Sequence, residues 1–303
     1  MSIGCSSVRV LSGCHRLLGH RLPGHRLLAA ALSCWALACG PITGDGGGDG
    51  VDGGDSTVDA SAGQPDAADN GIDAAPPPDN SAVYAHSSSS LYRIDPNTLD
   101  VTLVGPFIWP LGADSMTDIA IDRFGRMVGV SFTRVYEIDE QTGNCIFLSD
   151  LASGGFNGLS FVPSSADPAQ EILIGANTSG EVYQIDPATG AATVIGSYGN
   201  GYGSSGDIVS VLGAGTFATV TGSGASDSLA QIDPDNGYAA TIIGDTGYTG
   251  IWGLGYWRNK VYGFSSNNEF LVMDVNTGQA TPEQADSVSW WGAGVTTLAP
   301  IIE

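Results

Sequence analysis

Five copies of one short unit constrain this chain more than any other feature. The clearest copy is Val182 to Gly196, VYQIDPATGAATVIG. Val182-Tyr183-Gln184-Ile185 and Ala192-Thr193-Val194-Ile195 read as two short strands, and Asp186-Pro187-Ala188-Thr189-Gly190 as the turn between them. The Asp side chain accepts from backbone N–H groups ahead of it, Pro sets the first corner, and Gly takes the left-handed position. The unit recurs as LYRIDPNTLDVTLVG from Leu91, VYEIDEQTGNCIFLS from Val135, LAQIDPDNGYAATIIG from Leu229 and LVMDVNTGQAT from Leu271. Its Asp falls at 95, 139, 186, 233 and 274, in steps of 44, 47, 47 and 41. A lone hairpin is barely stable in water. Regular repetition at this period means that each unit buries its apolar face against its neighbours.

A second element repeats out of phase with the first. Asp118–Asp122, Gly158–Val162, Asp207–Val211 and Gly253–Trp257 each precede a hairpin, with a further short run between (Met127–Ser131, Ile172–Ala176, Thr216–Thr221, Val261–Ser265). Gly294–Leu298 is a copy with no hairpin after it, and the hairpin at Leu91 has no copy before it. The two orphans complete one four-stranded unit. This arrangement resembles the β-propeller superfamily, in which a shared blade fastens the ring. The I-D-x-x-T-G hairpin is most similar to quinoprotein-like and YVTN-type repeats. The resemblance implies an all-β, five-bladed propeller over 81–303, closed by pairing of N- and C-terminal strands. It specifies a fold and no activity.

The first 38 residues read as an export signal. They hold four of the ten basic residues, no acid, and the apolar run Leu27–Ala38. That run is too short to span a bilayer as a helix, which needs about 20 residues. Ala36-Leu37-Ala38-Cys39-Gly40 resembles the lipobox of bacterial lipoproteins. The resemblance implies acylation of Cys39 and a protein held by lipid in the cell envelope, at the outer membrane of a Gram-negative bacterium. Residues 39–80 follow as an acidic linker of Gly, Asp, Ala and Pro, with nine Asp and no Lys or Arg. Such a stretch has little to bury and is expected to be disordered.

Beyond Cys39 six basic residues stand against all 32 acidic ones, a formal charge of −26 with His neutral. This excludes a nucleic-acid partner, which needs a basic footprint. Cys145 is the one cysteine of the 81–303 segment, so no disulfide framework is expected there. His86 is its one histidine, which excludes multi-histidine metal sites.

In a propeller the loops entering the inner strands share one face with the loops between the second and third strands. Here every loop of the first kind carries an aromatic residue: Trp109, Phe156, Tyr202, Tyr248 with Trp252, and Trp290 with Trp291. The loops of the second kind are polar, as at His86–Ser90 and Asn177–Gly180. Flat rings beside short polar groups suit a glycan or protein ligand. The leading expectation is therefore a non-enzymatic binding or scaffold propeller with no cofactor. The alternative is a calcium-dependent hydrolase or lyase. In it Asp118, Asn157 and Asp207, at the starts of inner strands, would hold Ca²⁺ or act as acid and base. The plainer reading of these carboxylates is that they bond neighbouring backbone.

Overall fold

The structure is a computed structural model. It describes residues 82–302 apart from 165, 168, 222–223 and 286–287. The export signal, Cys39 and the linker at 39–80 lie outside the described residues.

Twenty strands form five antiparallel four-stranded sheets. Blade two comprises β4 (Met116–Ile121), β5 (Met127–Ser131), β6 (Arg134–Ile138) and β7 (Cys145–Asp150). Blade three comprises β8 (Phe156–Pro163), β9 (Glu171–Asn177), β10 (Glu181–Ile185) and β11 (Ala192–Ser197). Blade four comprises β12 (Ser204–Val211), β13 (Gly215–Thr221), β14 (Asp227–Asp233) and β15 (Ala239–Asp245). Blade five comprises β16 (Ile251–Trp257), β17 (Lys260–Ser265), β18 (Glu269–Asp274) and β19 (Ala280–Ala285). Blade one is composite, with β20 (Gly292–Gly294) inside β1 (Val83–His86), then β2 (Ser90–Ile94) and β3 (Val101–Pro106). The chain is thus a five-bladed propeller whose ring is shut by its two ends.

The closing ladder pairs Tyr84 with Gly294, Ala85 with Ala293 and His86 with Gly292. It lies two residues before the strand expected at Gly294–Leu298. The apolar pattern of that segment misleads because its backbone leaves the sheet after Gly294. Thr296 instead bridges Ile121 of blade two, and its hydroxyl donates to the Asp122 carbonyl at 2.9 Å. Leu298 points outward, 47% exposed.

The hairpin Asp residues do what the repeat implied. Each carboxylate accepts from the N–H two residues on: Asn97 (2.8 Å), Gln141 (2.9 Å), Ala188 (2.9 Å), Asp235 (3.1 Å) and Asn276 (2.8 Å). Leu99 replaces Gly in the first copy and still adopts φ 63°. Tyr92 and Leu99 pack against the apolar cluster around blade five, which holds the strained turn in place.

The core lies between blades. Leu91 and Phe107 of blade one meet Met116, Ile119 and Tyr136 of blade two. Val128 and Val130 meet Phe156 and Leu159 across the next gap. Each such side chain contributes about 1.5–3 kcal/mol by leaving water, so removing one blade uncovers both its neighbours.

Candidate functional site

The inner strands β4, β8, β12 and β16 each carry a β-bulge at the same end. The ladder skips from Met116 to Asp118, from Phe156 to Gly158, from Ser204 to Ile208 and from Ile251 to Gly253. A bulge inserts an unpaired residue and re-aims its side chain. Three of the four therefore put Thr117, Asn157 and Trp252 out of the ladder. All three line one cavity, together with Phe132, Gly155, Phe156, Thr178, Ser266 and Trp291. Its volume is about 560 Å³. These residues come from blades one, two, three and five and stand around the ring axis, so the cavity is the mouth of the propeller on the face with the aromatic loops.

Of the seven aromatic residues singled out by sequence, the structure brings Phe156, Trp252 and Trp291 together at this mouth. It places the other four elsewhere. Trp290 is fully buried, edge-on to Tyr92 at 5.1 Å and to Phe264 at 5.4 Å. Trp109 packs on Phe107 and Tyr136 between blades one and two. Tyr202 and Tyr248 are half-buried against inter-blade clusters. Phe132, 56% exposed at the mouth, escaped the sequence reading because it sits in the polar β5–β6 turn. A bulky apolar residue in the SFT segment there was the available signal.

Directly beneath the mouth lies a buried polar hub. Four mouth residues are joined to it within two positions: Thr117 to Asp118, Asn157 to Leu159, Trp252 to Leu254, Trp291 to Gly292. At about 3.3 Å per strand residue, the two regions are one or two residues apart along the axis. The Asp207 carboxylate accepts from its own neighbour Ile208 N (2.5 Å) and from Leu159 N of blade three (3.3 Å). Its other oxygen accepts from Leu254 N of blade five (2.6 Å). One side chain of blade four thus ties three blades together. Asp118 of blade two accepts from Ile119 N at 2.8 Å. The ring nitrogen His86 Nε2 of blade one stands 3.9 Å from Asp118 Oδ1. Gly292 seals the remaining side. A Cβ there would collide with His86 Nε2 and Asp118 Oδ1, so the closing strand reaches the axis only because this residue is Gly.

His86, Asp118 and Asp207 are all fully buried. Burial pushes the Asp118 carboxyl well above the usual range, and the neighbouring Asp207 carboxylate pushes it further. Burial also raises Asp207 to about 7, against the pull of hydrogen bonds from Asp118 and from the N–H groups of Leu254, Ile208 and Leu159. Two desolvated carboxyls so close resist being ionised together, which favours a proton kept between them. Burial lowers His86 to about 4, partly offset by its bond to Ser87. A carbonyl only accepts, so Nδ1, 2.9 Å from Ser87 O, carries the ring proton and Nε2 presents a lone pair.

The third residue of the suggested calcium set, Asn157, lines the mouth and donates Nδ2 to Ser204 O at 3.1 Å. Calcium takes 6–8 oxygens, whereas both Asp207 oxygens are already committed to backbone N–H groups. Among the described residues, no three His, Cys, Asp or Glu side chains are grouped to hold a metal ion.

No family model and no curated protein matches this chain. Among solved structures it is similar to a structural genomics protein of unknown function from Bacteroides thetaiotaomicron VPI-5482. The identity is 16% and the TM-score 0.40, over 69% of this chain and 57% of that one. It is also similar to an auxiliary nutrient binding protein from Bacteroides ovatus ATCC 8483. There the identity is 15% and the TM-score 0.41, over 67% of this chain and 54% of that one. This chain spans a little over half the length of either protein. Likeness at this level carries nothing about ligand or activity.

Proposed function

We propose that this protein is a non-enzymatic binding propeller of the cell envelope that receives its ligand at the mouth. The observation that carries the reading is the convergence of three inner-strand bulges on one aromatic-walled cavity. Its volume of about 560 Å³ lies within the range of ligand sites, roughly 300–1,000 Å³. A glycan ring stacked on Trp252 or Trp291, or a protein side chain inserted between them, suits these walls. The hydrolase or lyase alternative draws on Asp118 and Asp207. Both are fully buried and held by backbone, out of reach of a substrate at the mouth.

The lipobox-like Ala36–Gly40 segment and the acidic stretch after it support attachment through lipid on Cys39, at the outer membrane of a Gram-negative cell. The I-D-x-x-T-G hairpins support kinship with quinoprotein-like and YVTN-type repeats.

A glycan and peptide array with the wild-type chain and a Trp252→Ala/Trp291→Ala variant tests the binding site. Signal lost in the variant, with its melting temperature retained, supports it. Signal retained in full places the ligand elsewhere. For the anchor, Cys39→Ser is expected to move the protein from the membrane pellet to the soluble fraction and to abolish labelled palmitate incorporation. Palmitate incorporation that survives the substitution refutes it.

A further inference from the structure

The chemistry of the mouth narrows its ligand further. Four rings, Phe132, Phe156, Trp252 and Trp291, stand around the cavity, and no charged residue lines it. Among the described residues Phe156 meets one other ring, Tyr183, at 5.3 Å, and Phe132, Trp252 and Trp291 meet none. The faces of Phe132, Trp252 and Trp291 are not used up in packing against other rings, whereas Phe156 is buried in the cluster between blades two and three. Beneath the floor the Asp118–Asp207 pair keeps one negative charge when it shares a single proton. Among the described residues no Lys or Arg forms an ion pair with either carboxylate. His86, the other titratable side chain of the hub, is neutral and turns a lone pair toward Asp118. Tyr198, which faces Asp207 from the segment before β12, is held protonated by burial. Among the described residues no cationic side chain stands against the pair, and only backbone N–H groups oppose its charge.

These features sort the possible ligands. An anion meets a strongly acidic protein and no basic side chain at the mouth. A sugar needs several hydrogen-bond partners, and of the four hydroxyl and amide side chains at the mouth (Thr117, Asn157, Thr178 and Ser266) two are engaged. The Thr117 hydroxyl donates to Val130 O at 2.9 Å, and the Asn157 amide donates to Ser204 O. A primary ammonium would surrender strong hydration with no carboxylate in direct reach. A quaternary ammonium group is positive, weakly hydrated and covered in methyl groups. It interacts best with the faces of aromatic rings.

We infer that the mouth takes a small organic cation carrying a quaternary ammonium group, bound between the ring faces above the buried acid pair. This rests on the mouth being the binding site, and it names the chemical group that enters.

The test is titration of the full chain with choline, with 3,3-dimethyl-1-butanol as the uncharged isostere, and with glucose and cellobiose. Binding is followed by tryptophan fluorescence and calorimetry. Choline is expected to saturate and to bind about tenfold or more tightly than the isostere, the scale of a desolvated cation–π contact. Trp252→Ala and Trp291→Ala should each weaken choline about tenfold at unchanged melting temperature. The Asp118→Asn/Asp207→Asn double variant, which removes the charge of the pair, should weaken choline severalfold and leave the isostere unaffected. Equal affinity for choline and the isostere overturns the inference. Sugar binding without choline binding also overturns it, while leaving the mouth as the binding site if the Trp variants abolish that binding. An array ligand whose binding ignores both Trp variants, with no response to choline, overturns this inference and the reading of the mouth together.

Discussion

Thr117 and Asp118 are consecutive, as are Trp291 and Gly292. The first of each pair lines an open cavity and the second is sealed at the ring axis. The mouth is walled by aromatic faces, with Trp291 36% and Phe132 56% exposed. The hub below it is polar and fully buried, and both oxygens of Asp207 accept from backbone N–H groups of three blades. A single bulge separates the two on β4, β8 and β16. The difference teaches that the buried hub ties blades together, whereas the mouth leaves its rings open for the ligand proposed to enter there. Changes in the hub should move stability, and changes at the mouth should move binding.

The largest effect is expected from deleting residues 289–303. That removes β20 and Trp290 and leaves β1 as an unpaired inner edge. The truncated chain should lose its single cooperative transition in calorimetry. One sharp transition at the wild-type temperature would mean that the ring does not depend on closure.

Asp207→Ala comes next. It orphans the Leu254 and Leu159 N–H groups in a dry site, at roughly 1–3 kcal/mol for each unsatisfied group. Urea denaturation should show a loss of about 3 kcal/mol. A loss below 1 kcal/mol would contradict the strap across blades three, four and five. Gly292→Ala forces a Cβ against His86 and Asp118. Overpacking of this kind costs about 1–3 kcal/mol, and for a domain this size each 1 kcal/mol lowers the melting temperature by roughly 2–4 °C.

The pH profile distinguishes the two regions with a smaller signal. The folded pKa of Asp207, about 7, lies above its ordinary 3.8, so the folded state holds a proton that the unfolded chain releases. That contribution is full below pH 3.8 and is lost as pH rises through about 7. His86 works in the opposite sense. Its pKa falls from 6.5 to about 4, so acid favours the unfolded chain across that window. The two slopes oppose each other between about pH 4 and 6.5, and above that range only the acid pair acts. The melting temperature should therefore fall as pH is raised from 6.5 to 8. Asp118→Asn supplies a neutral donor beside Asp207 and should flatten this decline. A flat wild-type profile would rule out a shared proton in the hub. The smallest stability effect belongs to Trp291→Ala, within about 0.5 kcal/mol as for an exposed position, although it should weaken binding about tenfold.

The turn chemistry was fully legible in the chain. Asp95, Asp139, Asp186, Asp233 and Asp274 cap their own hairpins because an Asx turn is a local device needing only its next few residues. Repetition of that device at a blade-sized period, with one orphan at each end, was enough to give the five blades and their closure. The closing strand lies two residues before Gly294–Leu298, because strand propensity there is local and the exit of the chain toward Asp122 is not.

The division of the aromatic residues was not legible either. Trp290 and Trp291 are neighbours of the same type in the same loop, and one is core while the other is mouth. Side chains alternate across a strand, but which side faces the axis depends on a register set by the bulges and by β1. The hub shows the same limit. Asp118 and Asp207 lie 89 positions apart in different repeats, and each alone looks like a strand-end carboxylate. The chain by itself determined the repeat, the turns and the charge. Only the closed ring decided that two of those carboxyls would be pressed together without water, because that contact requires all five inner strands to converge on one axis.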